Sequence, residues 1–328
     1  MKTSTIILQP TEENVVKCAE HLKTGGLVAF PTETVYALGA AATDADAVKK
    51  VYEVKGRPLD KPLIVAVARK EDIKTVVKDI PEKARTLIDI FMPGALTLVL
   101  NKADGIPDVV TAGSDTVAVR IPDNDVAMEL IARTGRPVVV PSANTSEKAS
   151  PTLAAHVKDD LDGKIEYILD GGASEIGIES TIIDTRTEPP TVLRVGGVTV
   201  EQIESAIGKV VCVRDWEKPS GYMPNAEVMF SAYYDGMEQN IANKYDELVE
   251  QGRSAVILCL DANARAYGDR TVYTVGADYK EYAHNLFALL RKADARHMDA
   301  VIAEGVDPRG IGSALIARLI RLSGGIII

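Results

Sequence analysis

The chain of 328 residues holds only three cysteines, Cys18, Cys212 and Cys259, far apart and with no CxxC pair. That excludes a disulfide scaffold and a zinc ribbon. Long apolar runs are missing as well. No stretch approaches the roughly 20 residues needed to cross a bilayer, and the run Ile326–Ile328 is too short to anchor anything. The first ten residues carry no targeting signal, only the short apolar run Ile6–Leu8. A cytoplasmic, membrane-free protein is expected. Positive charge is in deficit, with 37 Lys plus Arg against 47 Asp plus Glu and a formal charge of −10. Stable nucleic-acid binding needs a concentrated positive surface and is not expected, although a local basic pocket for one small anion is compatible with this balance. There is no GxxxxGK[ST] loop, no HExxH, no GxSxG elbow and no complete GxGxxG. The four histidines (His21, His156, His284 and His297) are scattered without metal-ligand spacing, so neither a metal cage nor a histidine-based nucleophilic enzyme is supported.

What is present describes an ordinary globular protein, 46% hydrophobic and 26% charged, able to bury a core and long enough for two domains. Apolar β-branched runs alternate with helical patterns, the α/β signature. Strands are expected at 27–30, 62–68, 95–100, 116–122, 138–142, 167–170, 181–184 and 191–195. Helices are expected at 44–53, 81–91, 125–133, 152–161 and 200–207. Thr43 is the expected cap of the first of these, and Thr199 with Gln202 has capping-box spacing. The pattern breaks after Gly208. Residues 212–225 hold the single Trp, two prolines and mixed charge, and read as a linker. Beyond it a β-α-β-β-α-β-α string suits a small parallel sheet covered by helices. The expected division is therefore 1–211, a linker at 212–225, and 226–328.

Short polar clusters sit at the strand ends, where α/β folds place ligands. Phe30-Pro31-Thr32-Glu33-Thr34-Val35-Tyr36 sets hydroxyls and a carboxylate after a strand; its plainer reading is a strand-to-helix turn with Thr caps. Lys55-Gly56-Arg57-Pro58 can clamp an anion with a point charge and a planar fork, or can be a solvated helix end. Ser142-Ala143-Asn144 can read a nucleotide or cap a helix. Ser180 and Arg194 lie beside two further strands. Arg120 is the odd cation inside an apolar strand, and a buried Arg needs an anion, from the protein or from a ligand. Four cations, many hydroxyls and no nucleophile suit a reaction run by positioning and charge neutralisation, such as nucleotidyl transfer from ATP with Mg²⁺ held by the phosphates and water.

The set PTETVYxLG, KGRPxxKPL, VRIP, PSAN, GIEST and TVLRxGG, in this order, resembles the YrdC-like L-threonylcarbamoyladenylate synthase family, its long two-domain branch in particular. The resemblance implies a twisted open-sheet α/β domain with a large concave pocket, followed by a smaller Rossmann-like domain. It implies an enzyme, a nucleotidyltransferase that makes L-threonylcarbamoyl-AMP and pyrophosphate from L-threonine, bicarbonate and ATP with Mg²⁺. A partner complex would then transfer the threonylcarbamoyl group to A37 of tRNAs reading ANN codons. Carried over by motif, Lys55 and Arg57 are the catalytic pair on the phosphates, and Ser142 and Asn144 bind the nucleotide. Ser180 and Arg194 complete the adenylate grip, Thr34, Tyr36 and Arg120 bind threonine, and Tyr222 is a lid. No metal ligand comes from the protein. Departures from the family pattern are Ala37, Ala66, Asn124, Glu147, Val195 and the pair Ser220-Gly221. They leave open an alternative, a catalytically impaired adenylate-binding or RNA-associated regulatory paralogue. A carbamoyl-adenylate-forming relative is a third reading, but the extra domains such proteins carry do not fit in this chain.

Overall fold

The computed structural model describes residues 4–213 and 224–328. Its chain divides into two compact units. The first comprises Met1–Ser146, Ser150–Glu175 and Glu179–Val213, and the second Glu147–Ala149, Ile176–Ile178 and Arg214–Ile328. A contiguous division at 211 differs from this in one respect. Two three-residue pieces from the first half, Glu147–Ala149 and Ile176–Ile178, belong to the second unit. Most of the expected linker lies outside the described residues.

The first unit runs β1 (Ile6–Leu8), α1 (Glu12–Lys23), β2 (Val28–Phe30), β3 (Ala37–Ala41), α2 (Ala45–Lys55) and β4 (Ile64–Ala66). A 3₁₀ turn at Lys70–Thr75 follows, then α3 (Glu82–Phe91), β5 (Leu96–Asn101), α4 (Asp108–Thr111), β6 (Thr116–Arg120), α5 (Asp125–Thr134) and β7 (Val138–Val139). It closes with α6 (Ala154–Leu161), β8 (Tyr167–Leu169), β9 (Thr181–Asp184), β10 (Thr191–Arg194), α7 (Val200–Ile207) and β11 (Val211–Cys212). All its strands join one mixed sheet, in the order β1-β8-β2-β3-β7-β4-β6-β5-β9-β10-β11. Helices α1 and α5 bury Val15, Cys18, Leu22, Leu130 and Ile131 against Phe30, Val138 and Leu169.

Local chemistry explains the helix starts. Thr11 accepts from Asn14 N at the head of α1. Asp44, not Thr43, caps α2, its carboxylate accepting from Asp46 N and Ala47 N. An anion at a helix N-terminus also complements the dipole, which a hydroxyl does not. The Thr199–Gln202 capping box at α7 is present in both directions. Strand β3 was not expected. Its sequence, ALGAA, has no β-branched residue, and it forms because β2 and β7 pair with it on either side.

The second unit runs β12 (Glu227–Phe230), α8 (Met237–Glu250), β13 (Ala255–Cys259), a 3₁₀ turn at Asp261–Tyr267, β14 (Val272–Thr274), α9 (Tyr279–Ala295), β15 (Ala300–Ala303) and α10 (Ile311–Leu322). Its four strands are parallel in the order β12-β15-β13-β14. The C-terminal isoleucines extend the β12 edge: Ile328 N donates to Phe230 O at 3.0 Å.

Candidate functional site

Residues 31–42 are buried throughout, so the connection between β2 and β3 must satisfy its own polar groups. It is a strand-to-strand loop, and the strand-to-helix turn is not found. Thr32 Oγ1 donates to Val35 O at 2.6 Å and lies 2.9 Å from Thr34 Oγ1. Arg120, the last residue of β6, donates from Nη1 to Thr34 Oγ1 at 3.1 Å and from Nη2 to Glu33 Oε1 at 2.5 Å. The cation in the apolar strand thus has a protein carboxylate as its partner, and both side chains are buried. Tyr36 is fully buried, and its hydroxyl donates to Gly172 O at 2.7 Å. Burial, then the nearby Asp170 carboxylate, push its pKa up. Its hydroxyl is therefore committed to the fold, and its backbone O accepts from Ala143 N.

Helix α2 ends at Gly56, whose φ of 59° is the left-handed cap that glycine adopts without cost. That turn leaves Lys55 on the last helical position, buried, with Nζ donating to Ser142 O at 2.5 Å and Asn144 O at 2.6 Å. Two of its three donors therefore hold the Pro141–Asn144 loop. Burial, and secondarily Arg57, push the Lys55 pKa down to about 7, while Asp160 opposes. Arg57 donates to Lys61 O and Pro62 O, at 3.3 and 3.0 Å. No helix follows the loop. Ser142 bridges Ala37 instead, so the cap reading fails there. The Ser142 hydroxyl has no partner among the described residues, and Asn144 Nδ2 donates to Thr145 O.

Ser180 and Arg194 meet where β9 begins and the antiparallel β10 ends. Arg194 Nε donates to Ser180 O at 3.0 Å and Nη2 to Ser180 Oγ at 3.1 Å, and Ser180 Oγ lies 2.8 Å from Thr97 Oγ1. Gly196 permits this approach, since a Cβ there would lie 2.2 Å from Glu179 O and 2.5 Å from Ser180 C. Leu98 pairs with Val119, so Thr97 stands beside the strand end that carries Arg120.

The structure therefore brings the candidates into three groups within the first unit: Thr34 with Arg120, Lys55 with Ser142 and Asn144, and Ser180 with Arg194. The segment from Thr32 to Leu38 connects the first two, and β5 links the third to β6. Tyr222 lies outside the described residues. Thr32 and Glu33, part of the polar cluster after β2 but given no role of their own, and Thr97 join these groups. Glu33 stood in view within the PTET run; Thr97 had no signal, because its partner is 83 residues away. A separate cavity of about 750 Å³ is lined by Lys78, Lys102, Asp104, Asp108 and Asp115. Both its lysines are already paired, with Asp104 and Asp108.

The family model described as "Telomere recombination" matches residues 20–196, and that described as "Threonylcarbamoyl-AMP synthase, C-terminal domain" matches residues 198–324. The chain belongs to the two-domain threonylcarbamoyl-AMP synthase family. It is 43% identical to the threonylcarbamoyl-AMP synthase of Pyrococcus abyssi over 322 residues, 93% of each chain. It is 40% identical to that of Bacillus subtilis over the whole of both chains. The crystal structure of P. abyssi Sua5 complexed with L-threonine superposes with a TM-score of 0.93 at 40% identity, covering 100% of this chain and 99% of that one.

Several departures from the family motifs have local explanations. Asn124 caps α5, accepting from Ala127 N at 3.1 Å. Ala66 is a buried strand residue paired in register with Arg120. Ala37 sits in a regular strand that needs no glycine. Glu147 is different: its φ of 69° is left-handed, where a glycine carries no strain and a glutamate does. Nothing in the structure explains Val195, and Ser220-Gly221 lie outside the described residues.

Proposed function

We infer that this chain joins L-threonine, bicarbonate and ATP into L-threonylcarbamoyl-AMP, releasing pyrophosphate and water. The observation that carries the reading is the grouping of Thr34–Arg120 and Lys55–Ser142–Asn144 along one buried segment, with Ser180–Arg194 joined to them through β5, in a chain that matches a threonine-bound relative along its whole length. Lys55, Arg57, Ser180 and Arg194 hold the phosphates. Ser142 and Asn144 hold the nucleoside. Thr34 and Arg120 hold the amino acid, while Tyr36, tied to Gly172 O, fixes the loop that carries Thr34.

The chemistry needs no nucleophile from the enzyme. The threonine nitrogen, having lost a proton, attacks the carbon of CO₂ formed by dehydration of bicarbonate. One carbamate oxygen then attacks the α-phosphorus. The bond from that phosphorus to the bridging oxygen breaks, and pyrophosphate leaves with the electron pair. Cations aimed at the phosphates offset the charge that develops on the leaving group. Mg²⁺ enters as part of the ATP substrate, held by phosphate oxygens and water. The product is reactive toward water, so a lid has a purpose, and it would pass to a complex that modifies A37 of tRNA. Supply of a tRNA-modifying complex supports a cytoplasmic reading. No described helix is long and apolar enough to cross a membrane.

The test is pyrophosphate release from Mg-ATP and bicarbonate with and without L-threonine, with L-serine as the control. Threonine-dependent release is expected. ATP binding without release would favour the impaired paralogue instead.

A further inference from the structure

The Glu33–Arg120 ion pair is joined at one end only. Arg120 Nη2 donates to Glu33 Oε1 and Nη1 donates to Thr34 Oγ1. Arg120 Nε and Glu33 Oε2, by contrast, are both buried and have no partner among the described residues. Arginine and carboxylate groups commonly meet through two parallel hydrogen bonds. Here the second bond of the fork is missing, which leaves a donor and an acceptor unspent in the same pair. Buried polar atoms without partners are uncommon, and each is destabilising. The surroundings keep the guanidinium from turning to repair the fault: Thr34 holds Nη1, Thr32 lies against Thr34, and Thr32 is tied to Val35 O.

An unspent donor beside an unspent acceptor is the complement of a zwitterion, and an α-amino acid presents a carboxylate and an ammonium one carbon apart. We propose that Glu33 is a recognition residue for the amino-acid substrate, Arg120 Nε taking its carboxylate while Glu33 Oε2 takes its α-ammonium. This rests on the functional reading above, which gives threonine to Arg120, and it adds Glu33 as the partner of the amine. Both atoms are closed to solvent in this arrangement, so the ligand enters as the Glu33 side chain turns about its own bonds with Oε1 still on Arg120. The charges then alternate: carboxylate on guanidinium, ammonium on carboxylate. An acid without the amine would bring a second negative charge beside Glu33 with nothing to neutralise it. Glu33 thereby selects for amino acids through repulsion of other acids as well as through attraction.

The experiment is calorimetric titration of the full-length protein, without ATP, using L-threonine and 3-hydroxybutyrate, which keeps the carboxylate and hydroxyl but has no amine. The wild type is expected to bind L-threonine at least about 10-fold more tightly, as for a site built to hydrogen-bond a missing group. Glu33→Gln keeps an oxygen for Arg120 but sets an amide donor against the ammonium. It should weaken L-threonine by about 10-fold or more, leave 3-hydroxybutyrate unchanged or improved, and so collapse the ratio between them. An unchanged ratio overturns the proposal. Equal losses for both ligands overturn it too, because they would mean that Glu33 only braces Arg120. If Glu33→Gln does not fold, the wild-type comparison decides, and near-equal binding of the two ligands refutes the ammonium contact. A wild type that binds Mg-ATP but neither acid brings down the functional reading itself, and the proposal with it.

Discussion

Glu33 in the first unit and Glu304 in the second are both buried, at 4% and 0% exposure, yet their oxygens end differently. Glu304 has no ion-pair partner among the described residues. Tyr267 donates to Oε1 at 2.6 Å, and Leu260 N and Asn263 Nδ2 donate to Oε2 at 2.8 and 3.2 Å. Burial pushes its pKa up, with those hydrogen bonds opposing. Glu33 faces a full positive charge and still has one oxygen without a partner. A carboxylate whose acceptors are spent within its own domain serves the fold: Glu304 fastens the 261–267 turn to the end of β15. A carboxylate left half-spent beside a half-spent arginine is arranged for something that is not part of the chain. The same residue type, equally buried, is thus structural in one unit and functional in the other.

The contrast can be broken most forcefully at Arg120. Arg120→Met strands Glu33 as an uncompensated buried charge and should cost about 3–5 kcal/mol, read as a lowered urea midpoint, together with a raised threonine KM. Adding Glu33→Gln should recover much of the stability but not the KM. A loss below about 1 kcal/mol would mean that the pair does not hold the loop.

Lys55→Met should lower turnover by roughly 100-fold, the scale for removing one group aimed at developing charge, and near-normal turnover would remove Lys55 from the phosphate site. The same variant tests its titration. The folded protein releases the Lys55 proton near pH 7, while the unfolded chain keeps it to the usual 10.5 of lysine. The unfolded state therefore binds more protons across that window, so this residue makes stability rise with pH from about 7 to 10.5 and gives no slope below it. Urea midpoints at pH 7, 8 and 9 should show a rise in the wild type that is reduced in Lys55→Met.

Glu304→Gln sharpens the comparison from the other side. It presents an amide donor to donors already in place and should cost about 1–3 kcal/mol, while the threonine KM stays as in the wild type at a temperature where the variant is folded. A changed KM would deny Glu304 its purely structural role. The smallest effect is expected at Glu147→Gly, which relieves a left-handed glutamate; the stability gain should be no more than about 1 kcal/mol, visible as a small upward shift in Tm, and a clear loss would contradict the strain.

Much of the architecture was legible because it rests on local rules. The capping box at Thr199, the β-α-β-β-α-β-α order after residue 226 and most strands of the first unit follow from side-chain periodicity and cap chemistry. Strand β3 was not legible, since the propensity of ALGAA argues against it and two neighbouring strands overrule that preference. Nor was the choice between Thr43 and Asp44 as cap, which turns on one residue of register.

The candidate site divides along the same line. By itself the sequence determined which residue types are available and that they occur in contiguous runs: hydroxyls and a carboxylate after β2, two cations around Gly56, a serine and an asparagine after β7. Contiguous runs survive folding intact, so they can be read before it. Only the tertiary structure decided what each residue does with its charge. Lys55 spends two donors on carbonyls 87 and 89 residues away, Arg120 finds Glu33 across 87, and Ser180 finds Thr97 across 83. Those partners are set by strand order and register, a property of the whole sheet that no local stretch encodes.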